Sequence, residues 1–328
     1  MLRLPRFTFL EAHSLADALR QRSDAGDGAM FVAGGTDLYP NMKRRQQTPH
    51  TVISLARVRE LCQISGTPAS GVTIGAGVTL AALAAHRTVA EHYPAVAHAA
   101  RVVSTPLLRN MGTIGGNLLL DTRCNYYDQT YEWRKAINFC MKRDGEICWV
   151  APSSPRCWAV QSSDGVPVAV ALGAEVTVAS GRGERRIPAA ALYRDDGIAY
   201  LTKAPDELLV AYHLPPADAS WRASYLKLRR RDAFDFPVLG VAARVDLAAD
   251  GTVASARIIL GAVASYPLEI PEAAAAIVGT RLERGSIAAA ADAAYRPAKP
   301  MDNTDLTLAW RKEMVRVYVR RALEALAH

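Results

Sequence analysis

Residues 31–38 read FVAGGTDL: an apolar run that stops on two glycines and restarts on a threonine and an aspartate. The run AMFV has the length and apolar character of a buried strand, and Gly34 and Gly35 end it. DLYPNMKRR then predicts a short helix and TVISL a second strand. Upstream, Ser14 with Asp17 three residues on predicts the start of an amphipathic helix, LADALRQR. Residues 1–55 therefore read as a small α/β unit. Glycines at such a strand end let backbone N–H groups approach a phosphate, and the Thr36 hydroxyl adds a donor. NMGTIGGNLL, residues 110–119, repeats the device with Gly112, Gly115 and Gly116 around Thr113. Neither loop matches G-x-G-x-x-G or G-x-x-x-x-G-K-[ST]. A tight turn explains either loop alone; two such loops ending in Thr and Asn could converge on one pyrophosphate.

Outward from these loops the pattern is α+β. GVTIGAG opens a second unit, which carries Ala-rich helices from Thr79 to Val103 and returns to strands at VPVAVALGAEVTVAS and DELLVAYHLP. Pro215 and Pro216 mark a change of pattern. Beyond them two β-rich runs meet at Asp250-Gly251, a hairpin signal, and the last third turns helical. The expected division is 1–55, 56–216 with an interruption at about 121–160, and 217–328.

With 328 residues, 22 of them glycine, and a net charge of +7, the chain is long enough for two or three domains. The basic residues are dispersed, no nucleic-acid motif is present, and an acidic protein partner suits the charge equally well. No apolar stretch of about 18 residues could span a membrane, and the first residues lack a secretory pattern. A cytoplasmic setting is expected, where thiols stay reduced. The histidines form no catalytic arrangement.

FVAGGTDLYPNMKRR and TIGGNLL, in that order, resemble the two FAD-binding loops of the flavoprotein subunits of the molybdenum hydroxylase family, which includes xanthine oxidase and carbon monoxide dehydrogenase. YLKLRRRDAFDFPVLGVAARV is similar to the segment that opens that family's C-terminal flavoprotein domain. The resemblance implies a two-part FAD-binding domain followed by a smaller α+β domain, with no catalytic residue in this chain. It implies that Phe31, Val32, Ala33, Gly34, Gly35, Thr36, Asp37 and Leu38 wrap the pyrophosphate and ribityl chain of FAD. Thr113, Ile114, Gly115, Gly116 and Asn117 would form the second cradle. Asp164 would hydrogen-bond the cofactor, and Leu209 and Lys227 would line its surroundings. Val103 stands where some members place an aromatic ring.

Four of the five cysteines remain, in C-x15-C-x7-C-x8-C spacing at Cys124, Cys140, Cys148 and Cys157. Four thiolates suit structural zinc or an iron–sulfur cluster. Zinc sites use close C-x2-4-C pairs, absent here, whereas a cubane is larger and is reached from separate points of a loop. Spacing, together with a flavin neighbour that exchanges single electrons, places [4Fe-4S] ahead of zinc and zinc ahead of disulfides. Cys62 reads as a small core residue.

An insertion with four cysteines between the second loop and Asp164 resembles the 4-hydroxybenzoyl-CoA reductase branch of that family. This implies an (αβγ)2 heterohexamer with a molybdopterin-containing large subunit and a small subunit holding two [2Fe-2S] clusters. Electrons from ferredoxin would enter at [4Fe-4S], pass to FAD and leave for those partners. Arg134, Lys135, Lys142 and Arg143 would then steer an acidic ferredoxin, or would simply form a solvated surface. Tyr126, Tyr127, Tyr131, Trp133, Trp149 and Trp158 would shield the cluster. Two other readings stay open: a hydroxylase flavoprotein using NAD or oxygen with zinc in its insertion, and a scaffold without flavin.

Overall fold

The computed structural model describes residues 2–327. In the first sheet β1 (Thr8–Glu11), β2 (Ala29–Val32) and β3 (Thr51–Ser54) run parallel in the order β1-β3-β2. The helix Leu15–Ala25 makes the crossover from β1 to β2, as a parallel pair requires. Its Ser14 cap accepts from the Asp17 N–H at 3.1 Å, and Gly26, at φ 70°, ends it in a conformation that favours glycine.

The second sheet is antiparallel, in the order β4-β5-β8-β6-β7. Its strands are β4 (Ile64–Thr67), β5 (Gly71–Gly75), β6 (Glu175–Ser180), β7 (Gly183–Pro188) and β8 (Leu208–Leu214). The third sheet is an antiparallel meander of β9 (Trp221–Leu228), β10 (Leu239–Leu247), β11 (Val253–Gly261) and β12 (Leu268–Glu269). Asp250 and Gly251 form the β10–β11 turn as expected: Gly251 has φ 81° and Asp250 accepts from the Thr252 N–H at 2.9 Å.

The alternation of β10 explains how the units join. Val241, Ala243 and Val245 share one core with the helices Arg284–Tyr295 and Leu308–Glu324, while Ala242 belongs to the core of the middle unit. Successive residues of a strand point to opposite faces, so β10 is buried from both sides. The α+β class stands.

Two local expectations fail. VPVAVA is not strand but the centre of a helix, Gly165–Ala171, every residue of which from Val166 onward is buried. An apolar run this short does not distinguish a buried strand from a buried helix. Here the Ser163 hydroxyl accepts from the N–H groups of Gly165 at 3.1 Å and Val166 at 3.2 Å and starts the helix. Cys62 is exposed, at the end of a 3-10 turn, Arg59–Cys62, whose core position is filled by Leu61. Among the described residues no helix is long and apolar enough to cross a membrane.

Candidate functional site: a glycine-walled cavity beside a thiol cluster

A cavity of about 400 Å³ opens between the first sheet and the middle unit, within the usual range of cofactor sites. All eight residues from Phe31 to Leu38 line it. From the second loop Thr113, Gly115, Gly116 and Asn117 do so, joined by Val103, Asp164 and Leu209. Ile114 and Lys227 stand apart from that lining: Ile114 points into the hydrophobic core, and Lys227 lies behind Asp164.

The glycines bring the two loops together. A Cβ on Gly34 would strike the Met111 carbonyl of the second loop, and Gly35, at φ 70°, would drive one into the Tyr39 ring. A Cβ on Gly115 would meet that of Ala76 at 2.6 Å. The second loop passes into the short helix Ile114–Leu118, which Thr113 caps by accepting from the Gly116 N–H at 3.1 Å.

Several expected cofactor ligands also hold the wall together. Asn117 Oδ1 accepts from the Ser163 hydroxyl at 2.7 Å and the Gly165 N–H at 3.0 Å, which fixes the segment bearing Asp164. The Asp164 carboxylate accepts from the Tyr225 hydroxyl at 2.8 Å and the Lys227 ammonium at 2.9 Å. Burial raises the Asp164 carboxyl above the ordinary range against the pull of Lys227, and burial lowers the Lys227 ammonium. Asp37 binds Arg123, which also reaches Asp128 at 3.2 Å and lies 4.6 Å from the centre of the Phe236 ring.

Arg123 is also where the cysteine segment begins. Backbone bonds between Arg123 and Val160, 2.8 Å in each direction, close the neck of the insertion. Inside it Cys124, Cys140, Cys148 and Cys157 are each 7% exposed or less. The Cys157 sulfur accepts from the Ala159 N–H at 3.4 Å. The Cys148 carbonyl accepts from the Ala151 N–H at 3.0 Å. Cys148 and Cys157 act on each other as a pair, which lowers the Cys148 thiol and raises that of Cys157. Burial pushes the Cys124 thiol up to about 12, and Cys140 upward as well. Among the described residues no three His, Cys, Asp or Glu side chains converge closely enough to hold one metal ion.

The comparisons with known proteins fall on both parts of the chain. The model of the FAD binding domain in molybdopterin dehydrogenase matches residues 5–217, and that of the CO dehydrogenase flavoprotein C-terminal domain matches 223–326. The chain belongs to the FAD-binding medium subunits of the molybdenum hydroxylase family. It is 28% identical to 6-hydroxypseudooxynicotine dehydrogenase complex subunit alpha of Paenarthrobacter nicotinovorans, across 99% of this chain and 95% of that one. It is 34% identical to the aldehyde oxidoreductase FAD-binding subunit of Escherichia coli (strain K12), across 81% and 84%. Reconstituted CO dehydrogenase from Oligotropha carboxidovorans superposes with a TM-score of 0.80 at 26% identity, covering 99% of each chain.

As a medium subunit of this oxidoreductase family, the chain fits FAD. Its cavity walls are glycine backbone where phosphates need close approach, and the tight contact of Gly34 with Met111 leaves a continuous cradle across both loops. Sequence reasoning missed Leu108, Tyr200, Lys203, Phe234 and Phe236, which also line the cavity. Phe234 and Phe236, 62% and 46% exposed, bring to its rim the aromatic surface that Val103 lacks. Two aromatic residues flanking an aspartate after a basic run, RRRDAFDF, were the signal available. The family match supports FAD and assigns nothing to the thiols.

Proposed function

We propose that this chain is the electron-relay subunit of a 4-hydroxybenzoyl-CoA reductase-type complex, with FAD in the glycine-walled cavity and [4Fe-4S] on Cys124, Cys140, Cys148 and Cys157. The supporting observation is that one insertion buries all four thiols, packs three of them into one small cluster with Tyr127 and Ala159, and gives the Cys157 sulfur the Ala159 N–H at 3.4 Å. Amide N–H bonds stabilise thiolate charge, and hydrogen bonding to sulfur sets cluster potential. A single zinc ion draws four sulfurs to about 2.3 Å, and these side chains do not converge on one ion; a cubane asks for a wider set. FAD accepts one or two electrons and the cluster one, so together they would link a one-electron donor to two-electron chemistry.

In this reading ferredoxin supplies the electrons. A small subunit with [2Fe-2S] clusters and a molybdopterin-containing large subunit receive them, in an (αβγ)2 assembly that turns 4-hydroxybenzoyl-CoA into benzoyl-CoA. This chain's residues hold and space the two centres. Residues 31–38 and 113–117 shape the flavin cradle, Asp164 with Lys227 braces its wall, and the insertion at 121–160 carries the thiols. We further propose the division 1–55, 56–216 and 217–328 as its structural units. Of the basic residues expected to steer ferredoxin, Arg134 and Lys142 have buried side chains and Arg143 lies 3.3 Å from Asp144, so only Lys135 presents a free-standing charge. Trp133 and Trp149, 39% and 37% exposed, leave the thiols covered by Tyr127 instead, and offer the donor an apolar face.

The purified complex tests this. Iron and acid-labile sulfide beyond the small subunit's clusters, one FAD, and turnover of 4-hydroxybenzoyl-CoA with reduced ferredoxin are expected. Iron that stays unchanged when Cys124, Cys140, Cys148 or Cys157 is replaced by Ser would refute the cluster. A second reading is favoured by the 34% identity to the aldehyde oxidoreductase subunit: the complex oxidises an aldehyde and this chain passes electrons outward, to NAD, oxygen or another acceptor. Aldehyde oxidation without thioester reduction would select it.

A further inference from the structure

One buried cation stands between the cavity and the thiols. The Lys142 side chain is 6% exposed. Its ammonium makes three hydrogen bonds: to Asp121 Oδ1 at 2.8 Å, Thr122 Oγ1 at 2.7 Å and the Gly197 carbonyl at 2.7 Å. It also lies 4.8 Å from the centre of the Tyr127 ring and 5.4 Å from that of Tyr200. An ammonium has three N–H groups, so its position is fully determined.

Its partners reach toward both centres. Asp121 and Tyr200 line the cavity, and the second Asp121 oxygen accepts from the Tyr127 hydroxyl at 3.1 Å. Gly197 is pressed against a cysteine: an added Cβ would meet Cys157 Sγ at 2.6 Å, and its N–H donates to the Cys157 carbonyl at 3.0 Å. Lys142 itself follows the buried Cys140 by two residues, and through the Gly197 carbonyl it is anchored beside Cys157.

We propose that Lys142 is a positioning residue that sets the reduction potential of the thiol-held centre through its fixed charge, with Asp121 as the opposing charge on the cavity side. The inference rests on the cluster reading given above. Adding an electron makes the centre more negative, so a nearby buried cation favours the reduced form and a buried anion disfavours it. The two residues therefore act with opposite sign, a pattern that a purely structural ion pair does not produce.

The experiment uses the intact complex: metal and FAD content, then redox titration of the iron–sulfur signal by electron paramagnetic resonance, well above the carboxylate range of pH. Lys142→Met is expected to retain iron and FAD and to weaken reduction about tenfold, ~59 mV downward for one electron. Lys142→Arg should restore most of it, and Asp121→Asn should shift the potential upward. If Lys142→Met fails to assemble, the upward shift in Asp121→Asn decides. Unmoved potentials with full iron content overturn the role of Lys142 alone, as does a shift of the same sign in both variants. A wild-type complex whose iron is fully accounted for by the small subunit overturns the cluster reading and this inference with it.

Discussion

The Asp164–Lys227 pair gives the sharpest test of how the flavin wall is braced. Lys227→Met removes the ammonium while keeping most of the aliphatic length. The two side chains are 4% and 2% exposed and their charged atoms are 2.9 Å apart, so the carboxylate left behind keeps only the Tyr225 hydroxyl at 2.8 Å. Removing one partner of a buried pair costs about 3–5 kcal/mol, because the survivor keeps its desolvation penalty and loses its compensation. Burial already raises the Asp164 carboxyl, which makes proton uptake the easier escape and places the expected loss near 3 kcal/mol. Replacing both partners, as Asp164→Leu with Lys227→Met, removes that penalty and should recover most of the loss. Urea titrations of the purified protein, with midpoint and slope compared across the cycle, measure the coupling. A Lys227→Met cost under about 1 kcal/mol, or a double variant no better than the sum of the singles, would refute the argument.

Gly34→Ala should lower FAD affinity more than tenfold with little change in overall fold, since its Cβ falls on the Met111 carbonyl; Gly181→Ala, with open space around it, is the matched control, and flavin titration compares them. His213 bonds Thr73 at 3.0 Å and Thr177 at 2.8 Å, and burial, then Arg186, holds its imidazole below 6.5. The unfolded chain then binds the proton more readily, so this contribution is complete above pH 6.5 and is lost as pH falls through the lowered folded value. Wild-type stability should therefore fall more steeply below that point than stability of His213→Gln, as read by urea midpoints at stepped pH. Lys135→Glu combined with Arg143→Glu should change reduction by ferredoxin less than about threefold, since a lone surface charge steers weakly; a steep loss that vanishes in high salt would restore the steering idea.

What the sequence made legible was local chemistry. Gly34, Gly35 and Thr113 announce themselves because a strand end, a left-handed turn and a helix cap are each written in a few adjacent residues. The covering of β10 on both faces follows from its alternation once the strand is recognised. The bonds by which Asn117, Asp164 and Lys227 brace the wall were not legible, because they depend on side chains far apart in the chain meeting in a buried wall. Arg134 and Lys142 misled for the same reason: a basic residue in a polar loop reads as surface until the fold supplies carbonyls and a carboxylate to bury it with. The helix Gly165–Ala171 was hidden by composition, since valines packed on all sides leave no periodicity to read.

The insertion is an addition that the flavin fold accepts at one point and then clamps. Its two ends meet at the Arg123–Val160 bridge, so the chain departs and returns at one point. From there it leans on the segment that follows the first flavin loop. Gln46 donates to the Tyr127 carbonyl at 2.5 Å, Arg134 to the Arg44 carbonyl at 2.9 Å, and Arg143 to the Thr48 hydroxyl at 3.1 Å. Arg123 completes the clamp through Asp37, inside the loop itself. The buried Arg134 guanidinium makes a charged-donor bond, of a kind that contributes about 1.5–3 kcal/mol, so ordering the thiols and ordering the flavin loop are coupled events. Occupancy of one centre should therefore tighten the other: cysteine variants that lose iron would keep FAD but bind it more weakly, and flavin titration of those variants against wild type reads the coupling directly.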